Sequence, residues 1–293
     1  MSKPQKKFFA QHAVITGGSS GIGKALAKLL AQQGANVSII ARNSAKLESA
    51  KQEVAALMIN PQQKILAIAA DVTQQTALDL ALKKAIADLG NPQILITSAG
   101  IAIPGYFQDL SLETFHQTMA VNYFGSLYAI KSVLPTMMEA KQGNIVLISS
   151  GAGLIGLYGY TAYSSSKFAL RGLAESLRGE LKPHNIKVSI VYPPDTDTPQ
   201  LAAENKTKPP ETKQMTQTAQ LWTAEGIAQE IIKGISQDKF AIAPGWEMTF
   251  LNRLHSVISG LLNWYFDKIV SKYHKKIKNN LKILPEKTKL LIK

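Results

Sequence analysis

The segment Ala13-Val14-Ile15-Thr16-Gly17-Gly18-Ser19-Ser20-Gly21-Ile22-Gly23 holds a strand, a turn and the start of a helix. The short apolar run reads as a buried strand, and a helical pattern over 22–33 follows the glycines directly. Glycine is needed where a backbone turns tightly and a pyrophosphate approaches it closely. The helix behind the turn offers free N–H groups and a partial positive charge to an anion. The spacing is G-x3-G-x-G, not the commoner G-x-G-x-x-G, so the motif is read together with its strand–turn–helix setting.

Outward from this segment, apolar strands keep alternating with helical stretches. Val37 to Ile40, Ile65 to Ala69, Ile94 to Ile96, Ile145 to Ile148 and Val188 to Val191 read as further strands. Helical patterns cover 44–58, 74–89, 112–140 and 162–181, then 223–236 before a last apolar strand at 240–242. Uninterrupted apolar strands, each followed by a helix, indicate a parallel sheet covered on both faces. The expected fold is α/β: a Rossmann-like, doubly wound parallel sheet in one domain over 8–245, with a C-terminal amphipathic helical extension over 246–293. Residues 194–220, rich in proline and polar side chains, are expected to form a long loop acting as a substrate lid.

Composition agrees with a globular protein: 293 residues, 45% hydrophobic and 18% charged. The absence of cysteine excludes disulfides, a thiolate nucleophile and iron–sulfur or Cys-ligated zinc chemistry, and no metal is expected. No apolar segment of signal-peptide length precedes the first strand, so a cytoplasmic location is expected. The net charge is +13, of which residues 268–293 carry +8 through nine lysines and one acid, Glu286.

The end of the second strand bears on the choice of nucleotide. An acid there would bind the ribose hydroxyls of NAD. This chain has Ala41 and then Arg42, and a guanidinium beside a neutral residue suits a 2′-phosphate. Ser19 can add a hydroxyl, and Lys24 either adds a charge or is solvated. NADPH is the expected cofactor.

Tyr163 and Lys167 stand four apart at the start of a helix, on one face. A tyrosine titrates near 10, and a neighbouring ammonium is expected to lower that value and suit it to acid–base work. Ser150 lies thirteen residues upstream, just past a strand, and Asn122 precedes both. Tyr158 and Tyr160 are the competing phenols, read as wall aromatics because neither has the partner lysine.

Taken together, TGxxxGxG, the serine thirteen before YxxxK and the earlier Asn resemble the short-chain dehydrogenase/reductase family over residues 10–245. The resemblance implies that Tyr163 is the general acid, that Lys167 binds the nicotinamide ribose and tunes Tyr163, that Ser150 hydrogen-bonds the substrate oxygen and that Asn122 holds a relay water. It implies cofactor contacts at Gly17, Ser19, Ser20, Gly21, Ile22, Gly23, Arg42, Asp71, Val72, Ser98, Ala99, Gly100, Tyr163, Lys167, Pro193, Thr196 and Thr198. Two departures stand out: Thr97-Ser98-Ala99-Gly100 replaces the family's Asn-Asn-Ala-Gly, and Pro193-Pro194 its Pro-Gly, which stiffens that turn.

The stretch Tyr192 to Pro199, continuing through Glu204 to Pro209, closely resembles one group within the family, the 3-ketodihydrosphingosine reductases. That resemblance implies reduction of the 3-keto group of 3-ketosphinganine with NADPH. The alternatives are another lipophilic ketone (steroid, retinoid or fatty acyl) or a nucleotide-binding scaffold without turnover. Asp195 or Asp197 could meet the substrate ammonium; both are equally at home as turn formers beside prolines.

Over 246–273 apolar residues recur at three- and four-residue steps, as in an amphipathic helix. The charge-free stretch between Arg253 and Asp267 has thirteen residues, short of the roughly 20 a span requires. With Trp246, Trp264 and the lysines after them, it reads either as an interfacial helix on anionic lipid or as a helix packed on protein. The first would put the protein on the cytosolic face of a membrane, the endoplasmic reticulum in a eukaryote or the inner membrane in a bacterium. The tail lacks arginine and a stacking platform, so no nucleic acid is expected. A homo-oligomer is implied by the family resemblance only.

Overall fold

The apolar runs form a seven-stranded sheet. Its order is β3 (Ile65–Ala69), β2 (Asn36–Ala41), β1 (His12–Thr16), β4 (Ile94–Thr97), β5 (Gly143–Ile148), β6 (Ile186–Val191) and β9 (Ala241–Ile242), every pair parallel. The computed structural model describes residues 7–217 and 220–283, without the side chains of His274 and 276–283. The first six residues, residues 218 and 219 of the expected lid and the last ten of the lysine-rich tail lie outside the described residues.

Period-2 alternation sends each strand's side chains into two cores. Ile15, Ile39, Ile96 and Val146 face the layer of α1 (Gly21–Gln32), α2 (Ser44–Ala55) and α9 (Ala224–Ser236). Val14, Ile40, Leu95 and Ile145 face α3 (Gln75–Leu89), α5 (Gly125–Ala140) and α6 (Thr161–Leu181). Each fully buried Leu or Ile contributes about 1.5–3 kcal/mol, and the buried polar pair among them, His12 and Ser38, is joined by a hydrogen bond of 2.9 Å. The strand order reverses between β1 and β4, and the crevice at the carboxyl ends there is where such folds take nucleotides.

The helical pattern over 112–140 is interrupted. It comprises α4 (Leu112–Met119), a π-helical turn (Ala120–Phe124) and α5. The widened turn buries Asn122 completely.

The expected loop over 194–220 is instead partly helical. α7 (Pro199–Thr207) and α8 (Pro210–Thr216) lie between two short strands that pair in parallel, β7 (Thr196–Asp197) and β8 (Trp222–Thr223). Proline suggested a breaker, but each helix has proline at its first position, where the missing N–H costs nothing and the fixed φ is already helical. Thr198 caps α7, its hydroxyl accepting from Leu201 N at 3.3 Å. The segment buries Glu204, Lys208, Glu211 and Thr212.

The extension is a single helix, α10 (Gly245–Ile283). Its apolar residues divide into two stripes. Met248 and Ile269 are buried and Leu251, Ile258, Leu262 and Phe266 half-buried. Arg171 Nη1 on α6 donates to His255 Nε2 at 2.9 Å. Trp246, Phe250, Leu254, Val257, Leu261, Trp264 and Tyr265 are exposed. The packed face is therefore real, and a second apolar face remains open. Among the described residues no helix is long and apolar enough to cross a membrane.

Candidate active site

At the carboxyl ends of β1, β4, β5 and β6 lies a cavity of about 360 Å³. Gly17, Ser19, Ser20, Gly21 and Ile22 line it from the first turn, Asp71 and Val72 from the end of β3, and Ser98, Ala99 and Gly100 from the end of β4. Pro193, Thr196 and Thr198 line its far side, with Ser150, Tyr163 and Lys167. Gly17 has φ +72°, and a Cβ there would lie 2.6 Å from Ala99 N. Gly23 is absent from the lining. It is needed for packing instead, since a Cβ would meet Gly17 O at 2.4 Å and the Ser98 hydroxyl at 3.2 Å. The α1 N-terminus has no side-chain cap from Ser20, which leaves N–H groups directed at the cavity for an anion. These features fit a dinucleotide.

Arg42 lines the outer end and is 60% exposed, its Nη1 3.9 Å from Asp71 Oδ2. Asp71 Oδ1 accepts from Thr73 N and Oγ1, both at 2.9 Å. Lys24 turns away: its Nζ lies 2.8 Å from Glu53 Oε1 on α2, which Lys28 also meets. Lys46, which sequence reading missed, lines the cavity together with Arg42. The available signal was its position in the first turn of α2, where the Asn43 side chain accepts from its backbone N at 2.9 Å.

Ser150 and Tyr163 meet as expected, their hydroxyls hydrogen-bonded. Tyr163 is 7% exposed, and Lys167 Nζ stands 5.5 Å from its ring centroid. Lys167, 4% exposed, donates to Ile148 O at 2.9 Å. The direction of the tyrosine's titration reverses the expectation. Burial pushes the Tyr163 phenol well above its ordinary value, and the negative charge of Glu204 pushes it further. Ser150 and Gln200 act the other way by hydrogen bonding. Asn122 does not line the cavity. Its Oδ1 accepts from Ile101 N at 2.8 Å and its Nδ2 donates to Ile101 O and Ser166 Oγ, so it braces the chain behind the site.

Burial lowers the Lys167 ammonium to about 8. The unfolded chain keeps this proton until about pH 10.4. Between roughly pH 8 and 10 the unfolded state therefore binds more protons, and stability rises with pH. Urea denaturation should show the wild type gaining about 2–3 kcal/mol across that window relative to Lys167→Met. Parallel pH profiles for the two proteins would contradict the buried, easily deprotonated lysine.

The substrate side adds Glu204 and Gln200, to which sequence reading gave no role, to the tyrosines and aspartates that it did weigh. Tyr160 donates to Glu204 Oε2 at 2.8 Å, and its ring meets that of Tyr163 edge-on at 5.8 Å. Gln200 Nε2 donates to Glu204 Oε1 at 2.8 Å, one turn along α7. Asp195 lines the cavity with its Oδ2 3.7 Å from Lys208 Nζ, whereas Asp197 is exposed on β7 and outside the cavity. Tyr158 packs edge-on against Tyr106 at 6.2 Å, and its carbonyl accepts from Thr212.

Comparison with known proteins places this geometry. The short chain dehydrogenase family matches residues 11–209. The 3-ketodihydrosphingosine reductase of Bos taurus is 46% identical over 244 residues, 83% of this chain and 74% of that protein. The 3-dehydrosphinganine reductase of Danio rerio is 44% identical over 249 residues, 85% and 75% of the two chains. Among solved structures, levodione reductase superposes with a TM-score of 0.74 at 22% identity, covering 80% of this chain and 95% of that one, which supports the fold.

Proposed function

The chain belongs to the short-chain dehydrogenase family, and from that premise we propose that it reduces the 3-keto group of 3-ketosphinganine to the alcohol, using NADPH. The oxidoreductase class and a nicotinamide nucleotide follow from family membership. The sphingoid ketone follows from the relatives that carry that activity in their names. The preference for NADPH rests on Ala41 and Arg42 at the end of β2, with Lys46 lining the same cavity.

A bound nicotinamide supplies the hydride to the carbonyl carbon. Tyr163 donates its hydroxyl proton to the carbonyl oxygen as that hydride arrives, which leaves the phenolate. Ser150 hydrogen-bonds the same oxygen and holds it against Tyr163. Lys167 would hold the nicotinamide ribose, and from its anchor on Ile148 O it offsets the phenolate charge. The raised titration of Tyr163 keeps its proton in place at neutral pH but makes its donation harder, so the Lys167 ammonium near its ring is needed to offset the phenolate. Walls from α7 and Tyr160 exclude water, which strengthens each polar contact.

The observation that carries the reading is the meeting of Ser150, Tyr163 and Lys167 inside the same cavity as the glycine-rich turn. Consumption of NADPH with detergent-solubilised 3-ketosphinganine, beside NADH and simple ketones, tests it. Turnover only of unrelated ketones would retain the reductase and remove the sphingoid substrate. Cofactor binding without any turnover would point to a scaffold.

The outward stripe of α10 supports attachment to an anionic bilayer surface on the cytosolic side. Trp246, Val257, Leu261 and Trp264 would enter the interface while the lysines of 268–293 meet the headgroups. Sedimentation with phosphatidylserine vesicles should carry the protein down, less so at high salt and less so in Val257→Glu/Leu261→Glu. A concentration-dependent dimer lost in the same variant would assign that face to a second copy of the chain.

A further inference from the structure

We propose that Glu204 is the residue that recognises the substrate's ammonium group, on the carbon next to the carbonyl, and so selects amino ketones over plain ketones. This rests on the ketone assignment above and adds to it a specificity-determining residue. The two acids that the sequence offered for this role are differently placed. Asp195 already faces a buried cation, Lys208, and Asp197 lies outside the cavity.

Glu204 is 8% exposed and lines the same cavity as Tyr163. Its hydrogen-bond partners are neutral, Tyr160 and Gln200, and it forms no ion pair among the described residues. Lys167 acts on this carboxylate electrostatically without forming an ion pair with it, so part of the cost of burying the charge is left for a ligand's positive charge to offset. Two oxygens with about four acceptor positions, two of them used, leave room for ammonium N–H donors.

The position is also right. Gln200 joins the two ends of the reacting region: its Nε2 donates to Glu204, and the same side chain hydrogen-bonds the Tyr163 hydroxyl. A nitrogen donor seated there spans what an α-amino ketone must span, with its oxygen at Tyr163 and its nitrogen at the carboxylate. The Tyr160 ring closes the same corner, with Lys208 Nζ already over it at 5.8 Å from the ring centroid.

Charge balance gives the arrangement a purpose. Glu204 disfavours the phenolate that Tyr163 becomes after giving up its proton. An ammonium bound between them cancels that penalty, so proton donation is easiest when the correct substrate is present. A neutral ketone would leave Lys167 alone to balance both Glu204 and the phenolate as it forms.

The test compares 3-ketosphinganine with its deamino analogue, the 1-hydroxy-3-ketone of equal chain length, in wild type and Glu204→Gln. Gln keeps an oxygen to accept from Tyr160 while removing the charge. The wild type should favour the amino ketone in kcat/KM, and E204Q should shrink that ratio by roughly tenfold or more, mainly through KM of the amino ketone. Rates lowered equally for both ketones, with the ratio unchanged, would make Glu204 a positioning residue for Tyr160 and Gln200 and overturn the proposal. So would a wild type that does not distinguish the two ketones, a result that needs no variant to fold. Turnover of neither ketone by the wild type would instead overturn the substrate assignment beneath it.

Discussion

Replacing Tyr163 with phenylalanine should lower the rate of ketone reduction by roughly 10³-fold while leaving nicotinamide nucleotide binding nearly intact. The ring itself packs edge-on against Tyr160 and is almost wholly buried, so phenylalanine keeps the shape and loses only the hydroxyl. That hydroxyl is the one acid aligned with Ser150 and Gln200. Tyr160 cannot substitute for it. Its hydroxyl is committed to Glu204, and burial together with that carboxylate raises its titration even further. Single-turnover kinetics at saturating NADPH isolate the chemical step, and a fluorescence titration with NADPH reports binding separately. A residual rate within tenfold of wild type would move the acid to another group. Equal losses of rate and cofactor binding would instead indicate a collapsed site.

The second large effect concerns the cofactor. The wild type should use NADPH in preference to NADH, and Ala41→Asp/Arg42→Ser should reverse that preference, a change in the kcat/KM ratio on the order of 10³. Two physical changes act in one direction. Removing the guanidinium removes charge-assisted hydrogen bonds to the 2′-phosphate, and the new carboxylate repels that phosphate while accepting from a ribose hydroxyl. Because Arg42 is 60% exposed, its contribution is screened, and the NADPH preference should fall with added salt. Lys46 remains in the double variant. If the ratio does not move, that lysine carries the phosphate and Arg42 belongs with Asp71.

Much of the site was readable because it depends on neighbours along the chain. A tight turn into a helix needs Gly17 whatever surrounds it, since its φ is +72° and Ala99 leaves no space for a Cβ. Tyr163 and Lys167 share a face because four residues make about one helical turn. The nature of the 194–220 segment was not readable. Proline's fixed φ serves the first turn of a helix as well as a loop, and only the capping hydroxyl of Thr198 and the burial of Glu204 and Thr212 distinguish the two. The apolar positions of α10 gave a similar ambiguity. They form an arc wider than one packing face, so periodicity indicated an amphipathic helix but not which stripe the domain would cover.

By itself, then, the sequence determined the parallel doubly wound sheet, the phosphate-binding turn and the Ser150, Tyr163 and Lys167 set, all of which follow from backbone sterics and short-range period. Tertiary structure alone decided which charges meet. It turned Lys24 toward Glu53, brought Lys46 to the cavity, paired Asp195 with Lys208 and set Glu204 beside Tyr163. The reason is that a charge's energy depends on its burial and on neighbours remote in sequence. Those neighbours are gathered only where the carboxyl ends of the parallel strands converge.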